Sequence, residues 1–361
     1  MAKRTTCKKR KLNLGRLLLL FVIVGLLIYG FLTIRYNNNI KPVQTESEVV
    51  LFTVNQGQST KEIVTNLESE GIIRDANSAY SFAKKNKYND IKAGDFELDK
   101  SWKLSQIFDT LSDASKAIAY DATVTIVEGD WCADIAPKIA SGTNVTEEEL
   151  LALWNDRSYI ESIMPRYPFL TEEIFKDNVR YYLEGYLAPN TYKFFQDTTA
   201  TEVTEKILDE SLKIYEKYEK EFKKSNLTTH QIYTLASIVQ HEANSYETMR
   251  MIAQVFYNRL EIDMPLQSSS TTCYAIEEHS GDWVSCEVNY EFDSPYNTYM
   301  YNGLPPGAIL NPGEQAIEAT LNPDTSAKKY LYFMADVEGD GTIYFAETLE
   351  EHEANVAKYL R

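Results

Sequence analysis

Apolar residues along the chain change their spacing several times, and each change marks an element. Residues 17–34 form a run of eighteen without a charge, long enough to cross a bilayer as a helix. Residues 37–48 are polar and read as a connector. Residues 50–54 have strand character, and Gly57 then precedes a helical pattern that includes Ile63, Val64 and Leu67. Gly71-Ile72-Ile73, Tyr80-Ser81-Phe82 and residues 91–96 read as strands and short helices of a small α/β module. The first unit then recurs in residues 123–127, Gly129, Ile135 and Ile139. Thr53, Gly57 and Ile63 match Thr125, Gly129 and Ile135 at a constant offset of 72, which predicts a diverged repeat. Such units could bind glycan or serve structure alone.

Residues 144–224 are mostly helical in pattern, with an aromatic, turn-rich loop predicted over 183–192. Thr228 followed by Gln231 is a capping-box pattern, so a helix is predicted to start there. Along it Leu235, Ile238 and Val239 fall on one face, and Glu242 is the next member of that stripe. A carboxylate where the pattern asks for an apolar residue must be desolvated, paired or set at the edge of a cleft. Partial desolvation would keep it protonated in part near neutral pH, as a general acid requires. Alternatively, the helix frays after Val239 and Glu242 reaches solvent. A second helix is predicted over 247–260, then a polar Ser/Thr loop from Met264, loops at 294–299 and 302–307, strands at 330–334 and 342–345, and a last helix through His352 to Leu360.

Composition narrows the function classes. Residues 1–16 carry seven Lys/Arg and no acid, whereas the rest holds 29 basic against 53 acidic residues. An acidic body lacks the clustered positive charge that nucleic acid requires. The basic cluster before the apolar run predicts a cytoplasmic N-terminus and one membrane anchor with everything after it outside; no small-x-small cleavage pattern follows the run. The four cysteines and four histidines show no C-x-x-C, H-E-x-x-H or comparable ligand spacing, so no metal or other cofactor is expected. Cys273 and Cys286 could pair across a loop outside the cytoplasm. Asp336, Glu338, Asp340, Gly341 and Glu347 approximate a calcium loop, but apolar strands flank them, and a hairpin turn explains them better.

Several longer motifs occur in order: Leu183-Glu-Gly-Tyr-Leu-x-Pro-x-Thr-Tyr192, Ala236-Ser-Ile-Val-x-x-Glu242, Val255-Phe-Tyr-Asn-Arg-Leu260 and Met264-Pro-Leu-Gln-Ser268. Ser294-Pro-Tyr-Asn-Thr-Tyr299, Gly303-Leu-Pro-Pro-Gly307, Asn311-Pro-Gly313 and Leu331-Tyr-Phe333 follow. Together they resemble the endolytic murein transglycosylase MltG (YceG-like) family. The resemblance implies an α+β architecture: a cytoplasmic tail (1–16), a transmembrane helix (17–34), a linker (35–48), a LysM-like α/β module (49–115) and a mixed α+β YceG-like catalytic domain (122–361). A second LysM-like unit would occupy about 122–142, and the glutamate helix would be similar to that of lysozyme-like transglycosylases. The family's catalytic Glu maps onto Glu242. Gln240 stands where the family usually has Glu, Ser269-Ser270 replaces its usual Asp-Pro, and Ala188-Pro189-Asn190 its usual Phe-Pro-Asp.

The implied reaction is non-hydrolytic cleavage of the MurNAc–GlcNAc β-1,4 bond to a 1,6-anhydro end, which would terminate nascent strands. Asn258, Gln267, Tyr296, Asn297, Tyr299 and Tyr186 are the candidates for holding sugar, by resemblance and residue type. Helix capping for Asn258 and core packing for Tyr296 and Tyr299 are the structural alternatives. Glu184 is the alternative acid or a loop-fixing acceptor. The partners implied are peptidoglycan glycan strands and cell-wall synthesis enzymes at the membrane. Three rivals remain: a hydrolytic muramidase using a second carboxylate (Glu184, Glu247 or Asp293), a non-catalytic wall-binding scaffold, and a partner-recruiting membrane protein.

Overall fold

The computed structural model describes residues 14–243, 245–277, 289–336 and 341–359. The chain divides into two compact units, Met1–Ala119 and Tyr120–Arg361.

The first unit opens with α1 (Leu14–Asn39), 26 residues that rise about 39 Å at 1.5 Å each. It is longer at both ends than the apolar run, because helix continues through polar Tyr36 to Asn39. After the connector come β1 (Val49–Val54), α2 (Thr60–Ser69), α3 (Ala76–Asn86), β2 (Gly94–Asp99) and α4 (Leu104–Ser112). β1 and β2 pair antiparallel, with Phe52 opposite Phe96. Alternation along β1 puts Phe52 and Val54 inward while Val49 and Leu51 face out. Ser59 and Glu62 form a capping box on α2, and its Ile63, Val64 and Leu67 are buried. With Phe96, Leu98, Ile107 and Phe108 they make one core. Residues 71–73 are a turn rather than a strand.

The second unit begins with the same order: β3 (Ala122–Ile126), α5 (Cys132–Ala140), α6 (Glu147–Leu153), then α7 (Arg157–Ile163) before β4 (Asn190–Phe194). β3 pairs antiparallel with β4. Gly57 and Gly129, the glycines at the repeat offset, both have positive φ (84° and 93°), a conformation glycine adopts without steric cost. Next come α8 (Ala200–Lys217), α9 (Glu219–Lys224), α10 (Thr229–Glu242), α11 (Tyr246–Glu261), α12 (Ser269–Ala275) and α13 (Glu314–Leu321). The hairpin β5 (Tyr332–Ala335) and β6 (Ile343–Ala346) and helix α14 (Leu349–Tyr359) follow.

α10 runs between two apolar clusters. Ile232, Tyr233 and Ala236 pack with Trp154, Phe169 and Tyr186 on one side. Leu235, Ile238 and Val239 pack with Ile252, Phe256 and Leu310 on the other. A helix apolar on both sides belongs in an interior, and each of those buried aliphatic side chains contributes about 1.5–3 kcal/mol. Thr234 and Ser237, two of its buried polar side chains, are satisfied. Thr234 Oγ1 donates to the His230 carbonyl at 2.8 Å, and Ser237 Oγ donates to the Thr234 carbonyl while accepting from Ile309 N. The capping box of Thr228 and Gln231 is present, and the helix continues past Val239, so Glu242 is its last residue.

Candidate active site

Glu242 leaves the end of α10 half-buried, at the mouth of a cleft of about 350 Å³. A carboxylate there faces the negative end of the helix dipole, an unfavourable placement that helix formation alone does not explain. One partner holds it: Ser268 Oγ donates to Glu242 Oε1 at 2.6 Å. Ser268 is buried at the start of α12 and lies 2.7 Å, Oγ to Oγ, from buried Ser270. The turn into α12 is tied to the loop that ends in Tyr299. Gln267 N donates to the Thr298 carbonyl at 3.1 Å, and Ser268 N to Thr298 Oγ1 at 3.1 Å.

Gln267, Ser269 and Tyr299 line the cleft beside Glu242. The rest of the lining comes from β5, β6 and α14, chiefly Tyr332, Phe333, Met334, Ile343, Leu349 and His352. Arg259, on the last turn of α11, also lines it. Arg259 Nε donates to the Leu331 carbonyl at 2.6 Å and Nη1 to the Leu266 carbonyl at 2.5 Å. One guanidinium thereby joins the segment leading to Ser268 with the segment leading to β5. Burial lowers its pKa, and nearby Tyr332, Glu242 and Tyr299 act in the opposite sense. Burial and the charge of Arg259 likewise lower the pKa of His352, whose ring stacks on Tyr332 at 5.5 Å.

Of the residues expected at the site, Glu242, Gln267 and Tyr299 meet at this cleft. The others are placed elsewhere and are occupied. Asn258 Nδ2 donates to the carbonyls of Ala327 and Tyr330 at 3.0 and 2.7 Å, and its Oδ1 accepts from Gln254. Asn297 is fully buried, donating to the Tyr290 and Phe292 carbonyls and accepting from Tyr299 N. It shapes the loop that presents Tyr299 rather than reaching a sugar itself. Tyr296 is buried against Tyr274, with centroids 4.9 Å apart. Tyr186 is buried on the other side of α10, with its hydroxyl 2.9 Å from His230 Nδ1. His230 Nε2 faces the Pro306 carbonyl at 2.7 Å and must be the protonated nitrogen, so Tyr186 donates to Nδ1.

Glu184 is buried and serves as an acceptor hub. Oε1 takes Cys132 N at 2.9 Å and Asn311 Nδ2 at 3.0 Å, and Oε2 takes the Tyr274 hydroxyl at 3.1 Å. Burial pushes its pKa up to about 7 against those hydrogen bonds. Gln240 is likewise spent, its Oε1 accepting Gly313 N at 2.9 Å. Glu247 is exposed beside Arg250, and Asp293 accepts from the Tyr301 hydroxyl at 2.6 Å. Glu242 is therefore the one carboxylate among the described residues lining the cleft.

Sequence reasoning passed over Ser268, Ser270 and the whole opposite wall. Ser268 stood inside a quoted motif, but nothing in its spacing pointed at Glu242. The segment expected to be a Ser/Thr loop is helix α12, whose Thr271, Thr272, Cys273 and Tyr274 are buried. Cys286, which could pair with Cys273, and residues 337–340 of the calcium-like turn lie outside the described residues. Among the described residues no group of three or more His, Cys, Asp or Glu side chains is arranged to hold a metal ion.

The sequence model of the YceG-like family matches residues 52–358. An endolytic murein transglycosylase of Bacillus subtilis (strain 168) is 32% identical over 342 residues, which cover 94% of this chain and 91% of that protein. The endolytic murein transglycosylase of Streptococcus pneumoniae serotype 2 (strain D39 / NCTC 7466) is 34% identical over 338 residues and 90% of this chain. The match spans 61% of that pneumococcal relative's length. A 2.6 Å crystal structure of a yceG-like protein from Listeria monocytogenes superposes with a TM-score of 0.60 at 34% identity, covering 86% of this chain and 99% of that one.

Proposed function

The chain belongs to the YceG-like family, and from that membership we propose that it is a membrane-anchored endolytic lytic transglycosylase. Its substrate is the glycan strand of peptidoglycan, cut at the MurNAc–GlcNAc β-1,4 bond to leave a 1,6-anhydroMurNAc end, which terminates nascent strands. The observation that carries this reading is the lone carboxylate: Glu242 has no acidic neighbour among the described residues lining the cleft. An ordinary glycosidase needs a second carboxylate, as nucleophile or to activate water. A sugar that attacks itself needs neither, because its own hydroxyl is already in place.

Glu242 in acid form gives its proton to the glycosidic oxygen as the C1–O4 bond breaks. The resulting carboxylate then takes the proton of the MurNAc C6 hydroxyl as O6 bonds to C1. Proton and charge balance, and no water is consumed. Tyr299 and Tyr332 offer flat faces to the saccharide.

Supporting the anchor are the length of α1 and the apolar span within it at Phe21–Asn39. The seven basic residues before the apolar run support a cytoplasmic N-terminus with both folded units outside. The strand–helix–helix–strand order of residues 49–99 supports reading that unit as LysM-like and glycan-binding. Cell-wall synthesis enzymes at the same membrane are the partners that a strand-terminating activity would meet.

The test is the full chain in detergent with un-crosslinked glycan strands, products read by mass spectrometry. Anhydro ends are expected, and Glu242→Gln should slow their appearance by about 10²- to 10⁴-fold. Reducing ends, heavier by one water, would make the protein a muramidase instead. Strand binding without cleavage would make it a scaffold.

A further inference from the structure

We propose that Ser268 is a positioning residue that decides which oxygen of Glu242 carries the catalytic proton, and that Ser270 fixes Ser268 for that task. The inference rests on reading Glu242 as the acid of a saccharide cleft. A serine hydroxyl has one hydrogen to give and lone pairs to receive. Ser268 Oγ lies 2.6 Å from Glu242 Oε1 and 2.7 Å from Ser270 Oγ. Its hydrogen goes to Oε1, so the Ser268–Ser270 contact must be filled by the hydrogen of Ser270. The order is Ser270 to Ser268 to Glu242, each donor strengthening the next.

The backbone holds Ser268 in this orientation. Its N–H donates to Thr298 Oγ1 at 3.1 Å, and its carbonyl accepts from Thr271 Oγ1 at 2.7 Å. Thr271 and Thr298 lie 2.9 Å apart, oxygen to oxygen, and all four side chains are buried. No hydrogen bond from a described residue reaches Oε2 of Glu242. With the order Ser270 to Ser268 to Glu242 kept in the acid form, Oε1 remains an acceptor and the proton sits on Oε2. Oε2–H is then the group that protonates the glycosidic oxygen, and Oε2 later receives the proton of the C6 hydroxyl. Neither serine gives up its own proton. Ser270 stands where Pro or any apolar residue would leave Ser268 without that donor.

The experiment is steady-state kinetics of the full chain on un-crosslinked glycan strands. Ser268→Ala is expected to lower kcat by about 10- to 100-fold, as loss of a hydrogen bond to a charged group does. KM should stay within about twofold, because the bond is made to the acid and not to the sugar. Ser268→Thr keeps the hydroxyl and should recover kcat to within roughly threefold, while Ser270→Ala should lower kcat by a smaller factor, about three- to tenfold. In a Glu242→Gln chain, adding Ser268→Ala should leave strand affinity unchanged. Unaltered kcat in Ser268→Ala, or a loss confined to KM, would overturn the proposal, as would a Thr variant as slow as Ala with an unchanged unfolding midpoint. A wild-type chain that releases no anhydro ends would remove the catalytic reading itself, which is a separate result.

Discussion

Glu184 and Glu242 are two acids of the second unit whose surroundings differ sharply. Glu184 is enclosed by Cys132 N, Asn311 Nδ2 and Tyr274 OH, and burial raises its pKa from 4.5 to about 7. Between those two values the folded chain holds a proton that the unfolded chain has released. Stability from this group is therefore complete below about pH 4.5 and declines as pH rises to about 7, by roughly 3 kcal/mol in all. Thermal unfolding of the second unit should accordingly move to lower temperature between about pH 4.5 and pH 7, and Glu184→Gln should flatten that slope. An unchanged slope in the variant would show that other groups set it. Glu242, half-buried at the cleft, is instead held by a single described hydroxyl, that of Ser268.

Elements carry the next level. Asn258 and Arg259, adjacent on α11, both reach carbonyls near the start of β5. Asn258→Ala is expected to cost about 2–4 kcal/mol in urea unfolding, since it strands two buried carbonyls. Activity per folded molecule should be retained, which a sugar-binding Asn would not allow. Arg259→Lys loses the fork that spans two segments. KM should rise while kcat falls, because the cleft walls lose their common tie. The helix bearing Glu242 was legible because its capping box and its 235, 238, 239 stripe are local. So were α11, the hairpin and the two glycine turns of the repeat, each within a residue or two. β4 was hidden inside an aromatic loop because its partner β3 lies 64–72 residues upstream in the observed register. α12 was hidden because Ser and Thr are indifferent helix formers, and here burial rather than propensity decides. Tyr296, Asn297 and Tyr186 show the limit of residue type as a guide: each is polar at one end and was eligible for sugar, yet each has its polar atom met within the protein.

Across the whole molecule the charge is segregated, with a basic leader, an apolar helix and an acidic remainder. The acidic body will not adhere to anionic headgroups, so attachment should depend on α1 rather than on surface charge. Full-length protein is expected to stay in the membrane pellet through alkaline carbonate washing, and a chain lacking residues 1–39 to be released. Release of the full-length protein would count against a spanning helix. The truncated chain should still cut glycan strands in solution, because every described cleft residue lies in the second unit.

The wall facing Glu242 is built from residues 332–352, about ninety positions further along the chain. A polypeptide still being synthesised therefore presents Glu242 while the opposite wall of the cleft is unmade. Until translation has passed His352 the cleft beside Glu242 lacks one of its walls.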